Sequence, residues 1–183
     1  MKWRRIVVGT VTFIVPTTIA FFDIVGYVAK VEGASMQPLL NPELSTDKKP
    51  ESDFVLLNRW KTHGMQFKRG EIVSLSSPTD PDHKLIKRII ALDGDLIKTP
   101  GYKSPHVRIP EGYCWVEGDH QKLSMDSNYF GPIPKALLHA KASHIVWPPN
   151  RWRKLDVNPT DPDRLISEEQ VEAIRDMRLT EID

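Results

Sequence analysis

Cysteine and net charge are both nearly absent from this chain of 183 residues. Cys114 is the only cysteine, and one thiol excludes a disulfide framework and a cysteine-based zinc site. Charge almost cancels, because 25 Lys and Arg residues stand against 24 Asp and Glu residues. There is no overall basic field, so we expect no nucleic-acid partner. Internal repeats are absent too, which excludes a repeat architecture.

Glycine is scarcer than proline, and that ratio bears on the fold class. Fifteen prolines against ten glycines argue against a helical bundle and favour many short elements joined by stiff loops. The chain length fits one domain of ordinary size with an appendage. Hydrophobic residues make up 40% of the chain, which is enough to build a core and excludes disorder of the whole chain.

The beginning of the chain differs from the rest. From Ile6 to Phe22 no residue carries a formal charge, three basic residues precede this run, and the first acidic residue is Asp23. As a helix the run rises about 25 Å, at the lower edge of what spans a bilayer. We therefore expect residues 1–23 to be a basic segment and membrane anchor, with everything after Asp23 across the membrane. A cleaved signal and a buried core helix are the alternatives.

Residues 24–155 are expected to form a mostly β domain, and residues 156–183 an extension. Short runs rich in Val, Ile and Leu alternate with Pro, Gly, Asp and Asn. The predicted strands are Gly26–Val31, Phe54–Asn58, Glu71–Ser76, Leu85–Leu92, Asp95–Lys98, Val107–Ile109, Tyr113–Glu117 and Ser143–Trp147. Asp93–Asp95 is typical of a hairpin turn, and Ser45–Asp53 of a solvated charged loop. Lys135–Ala142 favours a short helix, and Ser167 with Gln170 a capping box that opens a C-terminal helix.

Two segments carry residues suited to chemistry. Ser35 lies between small residues and Pro38, so a substrate backbone can approach it closely. In the strand predicted over residues 85–92, alternation places Lys87 on a face with three apolar residues, namely Leu85, Ile89 and Ala91. Burial there disfavours the charged form and lowers a lysine pKa, as a general base requires. Alternation alone favours the alternative, a lysine whose stem lies along the apolar face while its ammonium reaches water.

Three motifs in order give a resemblance to a known family. Ser35-Met36-x-Pro38, then Lys87-Arg88 ahead of Gly94-Asp95, then Gly118-Asp119 ahead of Ser124-x-Asp126-Ser127, resemble the motif set of type I signal peptidases. These are membrane-anchored serine endopeptidases with a signal-peptidase-like β domain and a Ser/Lys dyad. The resemblance covers roughly residues 20–155, so the last thirty residues add nothing to it.

The resemblance implies a role for each motif residue. Ser35 would be the nucleophile and Lys87 the general base, with Ser124 bonded to the lysine and Asp126 bracing the site. Backbone N–H groups of Ser35 and Gly33 would hold the oxyanion, because the serine hydroxyl that some relatives carry is replaced here by Gly33. No metal or cofactor is implied. Bacterial members have an arginine where this chain has Asn128, so Arg88 is the hypothetical partner of Asp126.

A narrower resemblance points to the mitochondrial branch of this family. It is carried by Val31–Pro38, Leu40–Pro42, Arg69–Leu75, Asp126–Pro132 and Trp147–Trp152. It implies a single-pass protein of the mitochondrial inner membrane whose catalytic domain faces the intermembrane space. Its partners would be precursors with hydrophobic sorting signals, the lipid bilayer, and a homologous protease subunit in a heteromeric complex. The alternative function is a non-catalytic, membrane-tethered β domain that binds or stabilises a partner protease subunit.

Overall fold

The structure is a computed structural model that describes residues 12–18, 26–42, 51–60, 64, 66–158, 161–167 and 170. Its strands are β1 Gly26–Lys30, β2 Phe54–Asn58, β3 Ile72–Ser76, β4 Lys84–Leu92, β5 Leu96–Lys98, β6 His106–Arg108, β7 Tyr113–Glu117, β8 Ile133–Pro134, β9 Leu138–Trp147 and β10 Arg153–Lys154. Within the β domain a short α-helix, here called α1, covers Ser127–Phe130. The prediction of a mostly β fold is confirmed.

The main sheet is entirely antiparallel and strongly curled. Its strand order is β1-β2-β9-β3-β4-β7-β8, with β10 paired to β9, and β5 and β6 form a separate ribbon. Register shifts interrupt the β2–β9, β3–β9 and β4–β7 ladders, and such bulges bend and twist a strand. As a result β1 and β4, which have three strands between them in this order, line one cavity.

The core follows from alternation along these strands. In β2, for example, Val55 and Leu57 are buried while their neighbours are half-buried. In β4, Leu85 and Ile89 share a core cluster as their alternation predicts. Ala91 instead packs with Ile90 in another cluster, because the register shift between Ile89 and Ala91 breaks the two-residue period.

Three local predictions need correction. Lys135–Ala142 is not a helix: after one 3-10 turn, residues from Leu138 onward belong to β9. β9 pairs with β2, β3 and β10, and this central pairing overrides the local preference. Asp93–Asp95 is a tight turn, with Asp95 N–H bonded to Leu92 O, but the strands it joins do not pair with each other.

The third correction concerns the charged stretch Ser45–Asp53. Residues 43–50 lie outside the described residues, but the end of the stretch is not a solvated loop. Asp53 is completely buried and its carboxylate pairs with Arg151. Burial of an acidic side chain normally requires such a partner.

The two ends of the chain are described only in part. Residues 12–18 are helical, and Thr17 and Thr18 hydroxyls donate to the carbonyls of Phe13 and Ile14. Within the described residues no helix has the length and apolar character to cross a membrane. The remainder of the predicted anchor lies outside the described residues.

Part of the C-terminal extension is attached to the β domain. Leu165 bridges to Ile97 of β5, and Ile166 N–H donates to Leu96 O. Ser167 and Gln170 form both bonds of the predicted capping box, side chain to backbone in each direction. The helix predicted beyond them lies outside the described residues.

Candidate active site

Ser35 lies in the segment between β1 and residue 42, here called the Ser35 loop (residues 31–41). Leu40 N–H donates to Met36 O, and Gln37 N–H to Ala34 O, so the chain coils tightly around the serine. Met36 and Leu40 are almost fully buried in the core. Their burial anchors the loop on both sides of the coil, which leaves Ser35 half-buried at its surface.

Lys87 lies in β4 and meets Ser35 directly. Its ammonium nitrogen Nζ donates to Ser35 Oγ at 2.7 Å, although the residue is only 2% exposed. Desolvation by this burial lowers the pKa of Lys87, and the nearby Asp126 carboxylate acts in the opposite direction. A lowered pKa increases the fraction of neutral amine that can accept a proton. The two residues that the resemblance selects as a dyad are thus brought together.

The opposite wall is the Ser124 loop (residues 118–128), which follows β7 and includes the first two residues of α1. A Cβ placed on Gly118 would lie 2.3 Å from Ser35 O and 2.4 Å from Ser124 Oγ. Gly118 therefore allows the two loops to touch, and His120 N–H donates to Ser35 O at 3.0 Å. Ser124 Oγ is buried without a hydrogen-bond partner among the described residues, so the expected bond to Lys87 is not formed.

Asp126 is buried and holds the Ser124 loop in shape. Its carboxylate accepts from the N–H groups of Gly118 and Asn128 and from the Asn128 side chain. As the N-cap of α1 it also satisfies the start of that helix. The negative charge of Asp126 is therefore close enough to act on Lys87. The hydrogen bonds of the Asp126 carboxylate, however, are all made within the Ser124 loop.

Arg88 does not pair with Asp126, and that hypothesis is wrong. Its guanidinium forms two bonds to Asp119, at 2.8 and 2.7 Å, and a third to Gly70 O. Neighbouring side chains on a strand point to opposite faces of the sheet. The Arg88 side chain therefore lies on the face opposite Lys87, where its bonds to Asp119 fix the start of the Ser124 loop. Asn128 itself supplies the local bonds to Asp126.

Gly33 and Ser35 have backbone N–H groups that make no hydrogen bond within the described part of the chain. Gly33 has φ +83°, and a Cβ there would meet no atom within 4 Å. Space is therefore available beside the glycine, but its backbone conformation disfavours any other residue.

A cavity of about 350 Å³ opens beside Ser35 and Lys87. Its lining comes mainly from β1, β2, β4 and the start of the Ser35 loop. The apolar part of this lining, here called its floor, includes Ala29, Val31, Val55, Leu57 and Ile86. β1 is an edge strand, and β7 pairs with β4 only from Arg88 onward. β1 and residues 84–87 of β4 therefore each border the cavity with one edge whose backbone groups pair with no other strand of the described residues. No metal-binding group of three or more His, Cys, Asp or Glu occurs among the described residues.

Sequence reasoning missed three residues behind the Ser35 loop. Asn41, Asp53 and Arg151 form one hydrogen-bonded cluster. Asn41 and Arg151 lie in motifs that carried the narrower resemblance, but nothing in their spacing indicates that residues so far apart meet. Nothing in the sequence predicts the burial of Asp53, because it ends a charged stretch, residues 45–53, that indicates a solvated loop.

Comparison with known proteins agrees with this arrangement. A family model described as "Signal peptidase, peptidase S26" matches residues 2–103 and 98–147. The chain therefore belongs to the S26 signal peptidase family of peptidases.

Among its relatives are proteins named mitochondrial inner membrane protease subunit 2. The one from Mus musculus is 54% identical over 142 residues, covering 78% of this chain and 79% of the relative. The one from Saccharomyces cerevisiae is 42% identical, covering 75% and 77%. The human mitochondrial inner membrane protease subunit 1 is also similar, at 34% identity, covering 75% and 80%.

Proposed function

We propose that this chain is a membrane-anchored serine endopeptidase that removes hydrophobic sorting or signal sequences from precursors delivered to the mitochondrial intermembrane space. The observation that carries the proposal is the 2.7 Å contact between Lys87 Nζ and Ser35 Oγ at a buried lysine. Membership of a signal peptidase family supports the same reaction class.

In the acylation step, neutral Lys87 takes the proton from Ser35 Oγ. The oxygen attacks the carbonyl carbon of the scissile peptide bond and forms a tetrahedral intermediate. Lys87 then gives the proton to the leaving nitrogen, so the carbon–nitrogen bond breaks and an amine departs. The remaining acyl group is an ester on Ser35.

In the deacylation step, water takes the place of the departed amine. Lys87 accepts a proton from the water, whose oxygen attacks the ester carbon. Collapse of the second intermediate returns a proton to Ser35 Oγ and releases the new carboxyl end. Each half of the reaction therefore uses one base, and no histidine, metal or cofactor takes part.

Charge that develops in these steps is stabilised by groups around the dyad. The unbonded N–H groups of Ser35 and Gly33 hold the oxyanion. Ser124 accepts a hydrogen bond from the Lys87 ammonium when the proton has been taken up, since its hydroxyl is buried, lies beside Ser35 and has no partner among the residues that the structure describes. Asp126 stabilises the same ammonium through its charge, and Arg88 holds Asp119 and the Ser124 loop in position.

The substrate binds as an extended strand in the cavity beside the dyad. The unpaired side of β1 and residues 84–87 of β4 offer backbone groups for such a strand. The apolar floor accepts the small side chains expected before the cut.

The names of the relatives support the proposed location and partner. We place the catalytic domain in the intermembrane space on a single-pass anchor in the mitochondrial inner membrane, beside a homologous subunit 1. Division of the chain into an anchor (1–23), a catalytic domain (24–155) and an extension (156–183) follows from this proposal.

The test is cleavage of a membrane-anchored precursor by the full-length chain in detergent, with and without subunit 1. Ser35→Ala and Lys87→Met should each reduce cleavage by about 10⁴-fold or more, as for members of other catalytic dyads and triads. Lys141→Met is the matched control, because Lys141 is also a buried lysine on a strand but pairs with Glu71. It should lose stability and keep its rate per folded molecule.

Cleavage that persists in folded Ser35→Ala and Lys87→Met proteins would contradict the proposal. In that case the chain would act as a tethered subunit whose motifs are not used in catalysis.

A further inference from the structure

The Ser35 loop is closed by one side chain, Asn41. Its amide group donates to the carbonyls of Val31 and Gly33, at 2.9 and 3.1 Å, and so bridges the two ends of the loop. Its amide oxygen accepts from Asp53 N–H at 2.7 Å. Asn41 has φ 53°, a conformation that asparagine tolerates better than most residues. The width of the loop around Ser35 is thus set by where Asn41 is held.

Asp53 holds Asn41 from behind. Its carboxylate, with no exposure to solvent, accepts from Asn41 N–H at 2.8 Å, and its backbone oxygen accepts from Val31 N–H. The bonds between Asn41 and Asp53 run in both directions. A displacement of the carboxylate therefore moves both ends of the Ser35 loop.

Arg151 supplies the positive charge that the buried carboxylate needs. It donates to both oxygens of Asp53, at 2.8 and 2.9 Å, and also to Leu39 O at 2.9 Å. A two-bond arginine–carboxylate pair fixes direction as well as distance. Arg151 follows β9 in a 3-10 turn, Pro149–Arg151, so it comes from a different part of the sheet.

Removal of the guanidinium leaves a fully buried carboxylate without a counter-charge. Such a group is strongly disfavoured and must take up a proton or move towards water. Either change disturbs its bond to Asn41 N–H, and Leu39 O keeps only the longer bond from Arg153, at 3.3 Å. Both consequences reach the chain within a few residues of Ser35.

From this chain of contacts we infer that Arg151 is a positioning residue for the Ser35 hydroxyl, acting through Asp53 and Asn41. It sets the position of the Ser35 loop at which Ser35 Oγ meets Lys87 Nζ. The inference rests on the proposed function, in which that contact performs the chemistry.

The test compares Arg151→Ala with Arg164→Ala in the full-length chain in detergent. Arg164 forms a similar pair with Glu117, and the side-chain exposures match: 20% and 0% for Arg151 and Asp53, 19% and 5% for Arg164 and Glu117. The rate is measured per folded molecule, with KM and kcat separated. We expect Arg151→Ala to lower kcat by about 10²-fold, since a misplacement of about 1 Å has that cost. KM should change by less than about threefold, because the parts of β1, β2 and β4 that line the cavity stay in place, and Arg164→Ala should retain its kcat.

Two further measurements distinguish positioning from a general loss of stability. Ethylguanidinium added to Arg151→Ala should restore part of kcat, since Arg151 is reachable from solvent, and should not affect Arg164→Ala. The Lys87 side-chain NMR signal should shift in Arg151→Ala and return with ethylguanidinium. This signal reports the Ser35–Lys87 contact even if Ser35 is not the nucleophile, so it separates failure of this inference from failure of the proposed function.

Unchanged kcat and an unchanged Lys87 signal in folded Arg151→Ala would overturn the inference. Equal losses of kcat in Arg151→Ala and Arg164→Ala, without rescue by ethylguanidinium, would overturn it too.

Discussion

The two loops that meet at Ser35 differ in how completely their polar groups are satisfied. In the Ser35 loop, Asn41 uses both ends of its amide group, and the buried charge of Asp53 is paired with Arg151. In the Ser124 loop, three buried side-chain atoms have no partner among the described residues: His120 Nδ1, Ser124 Oγ and Asn128 Oδ1. Unpaired buried groups are costly. One loop therefore fixes Ser35, the proposed nucleophile, while the other retains hydrogen-bonding capacity beside it.

The largest effect should come from forcing the two loops apart. In Gly118→Ala the new methyl group would lie within 2.4 Å of Ser35 O and Ser124 Oγ, so at least one loop must move. We expect kcat to fall by more than about 10²-fold, measured as cleavage per folded molecule. Gly101→Ala is the control, because the nearest atom would be 3.8 Å away. Comparable activity in the two variants would show that close contact of the loops is unnecessary.

A smaller effect should follow from removing the unpaired hydroxyl. We expect Ser124→Ala to lower kcat by about 10-fold to 10²-fold, the value of a hydrogen bond to a charged group, without loss of stability. Ser127→Ala is the contrasting variant, because it removes a hydroxyl that already has a partner: Ser127 Oγ accepts from Val116 N–H at 3.0 Å. It should lose about 1–3 kcal/mol of unfolding free energy and keep its kcat. Chemical denaturation and cleavage assays together test this contrast, and a Ser124→Ala protein that is unstable but fully active would contradict it.

The pH dependence should report the charge that the Ser124 loop presents to Lys87. Only neutral Lys87 can accept a proton, and desolvation lowers its pKa from the ordinary 10.5, so activity should rise with pH along a limb that lies below pH 10.5. Asp126 raises this pKa, because a negative charge stabilises the ammonium. Asp126→Asn should therefore move the rising limb of kcat/KM to lower pH, even if the maximum rate falls. A limb that stays in place or moves upward would show that Asp126 does not act on Lys87.

The smallest difference should be found between two substitutions at Gly33. With φ +83°, any side chain strains the backbone by about 1–2 kcal/mol, so Gly33→Ser alone cannot test the oxyanion site. Gly33→Ser and Gly33→Ala share that strain and differ only in the hydroxyl. If backbone N–H groups suffice, their kcat values should agree within about threefold. A clearly faster serine variant would indicate that a hydroxyl donor is missing from the native site.

The sequence predicted those parts of the molecule that depend on local pattern. Seven of the predicted strands lie close to their observed bounds because each has its own β-rich run bounded by turn residues. β9 was predicted only from Ser143, since its first half, Leu138–Ala142, is stabilised by pairing with distant strands rather than by its own residues. The contact between Ser35 and Lys87 agrees with the roles that the family resemblance implied.

What could not be predicted is which charged residues would meet across the fold. Arg88 pairs with Asp119 rather than Asp126, and Asp53 with Arg151, because the curl of the sheet determines these meetings. The periodicity of any one segment contains no information on that curl.

The position of Arg151 bears on where this domain ends. Similarity to the family model stops at residue 147, which would be a natural place to cut the chain for expression of a shorter protein. Such a fragment would lack the cation that neutralises Asp53, and also Leu155, a member of the core. Its Ser35 and Lys87 would both be present in the sequence, yet the unit that folds around them would be incomplete. The end of the match to the family model and the boundary of the folding unit are thus different residues in this protein.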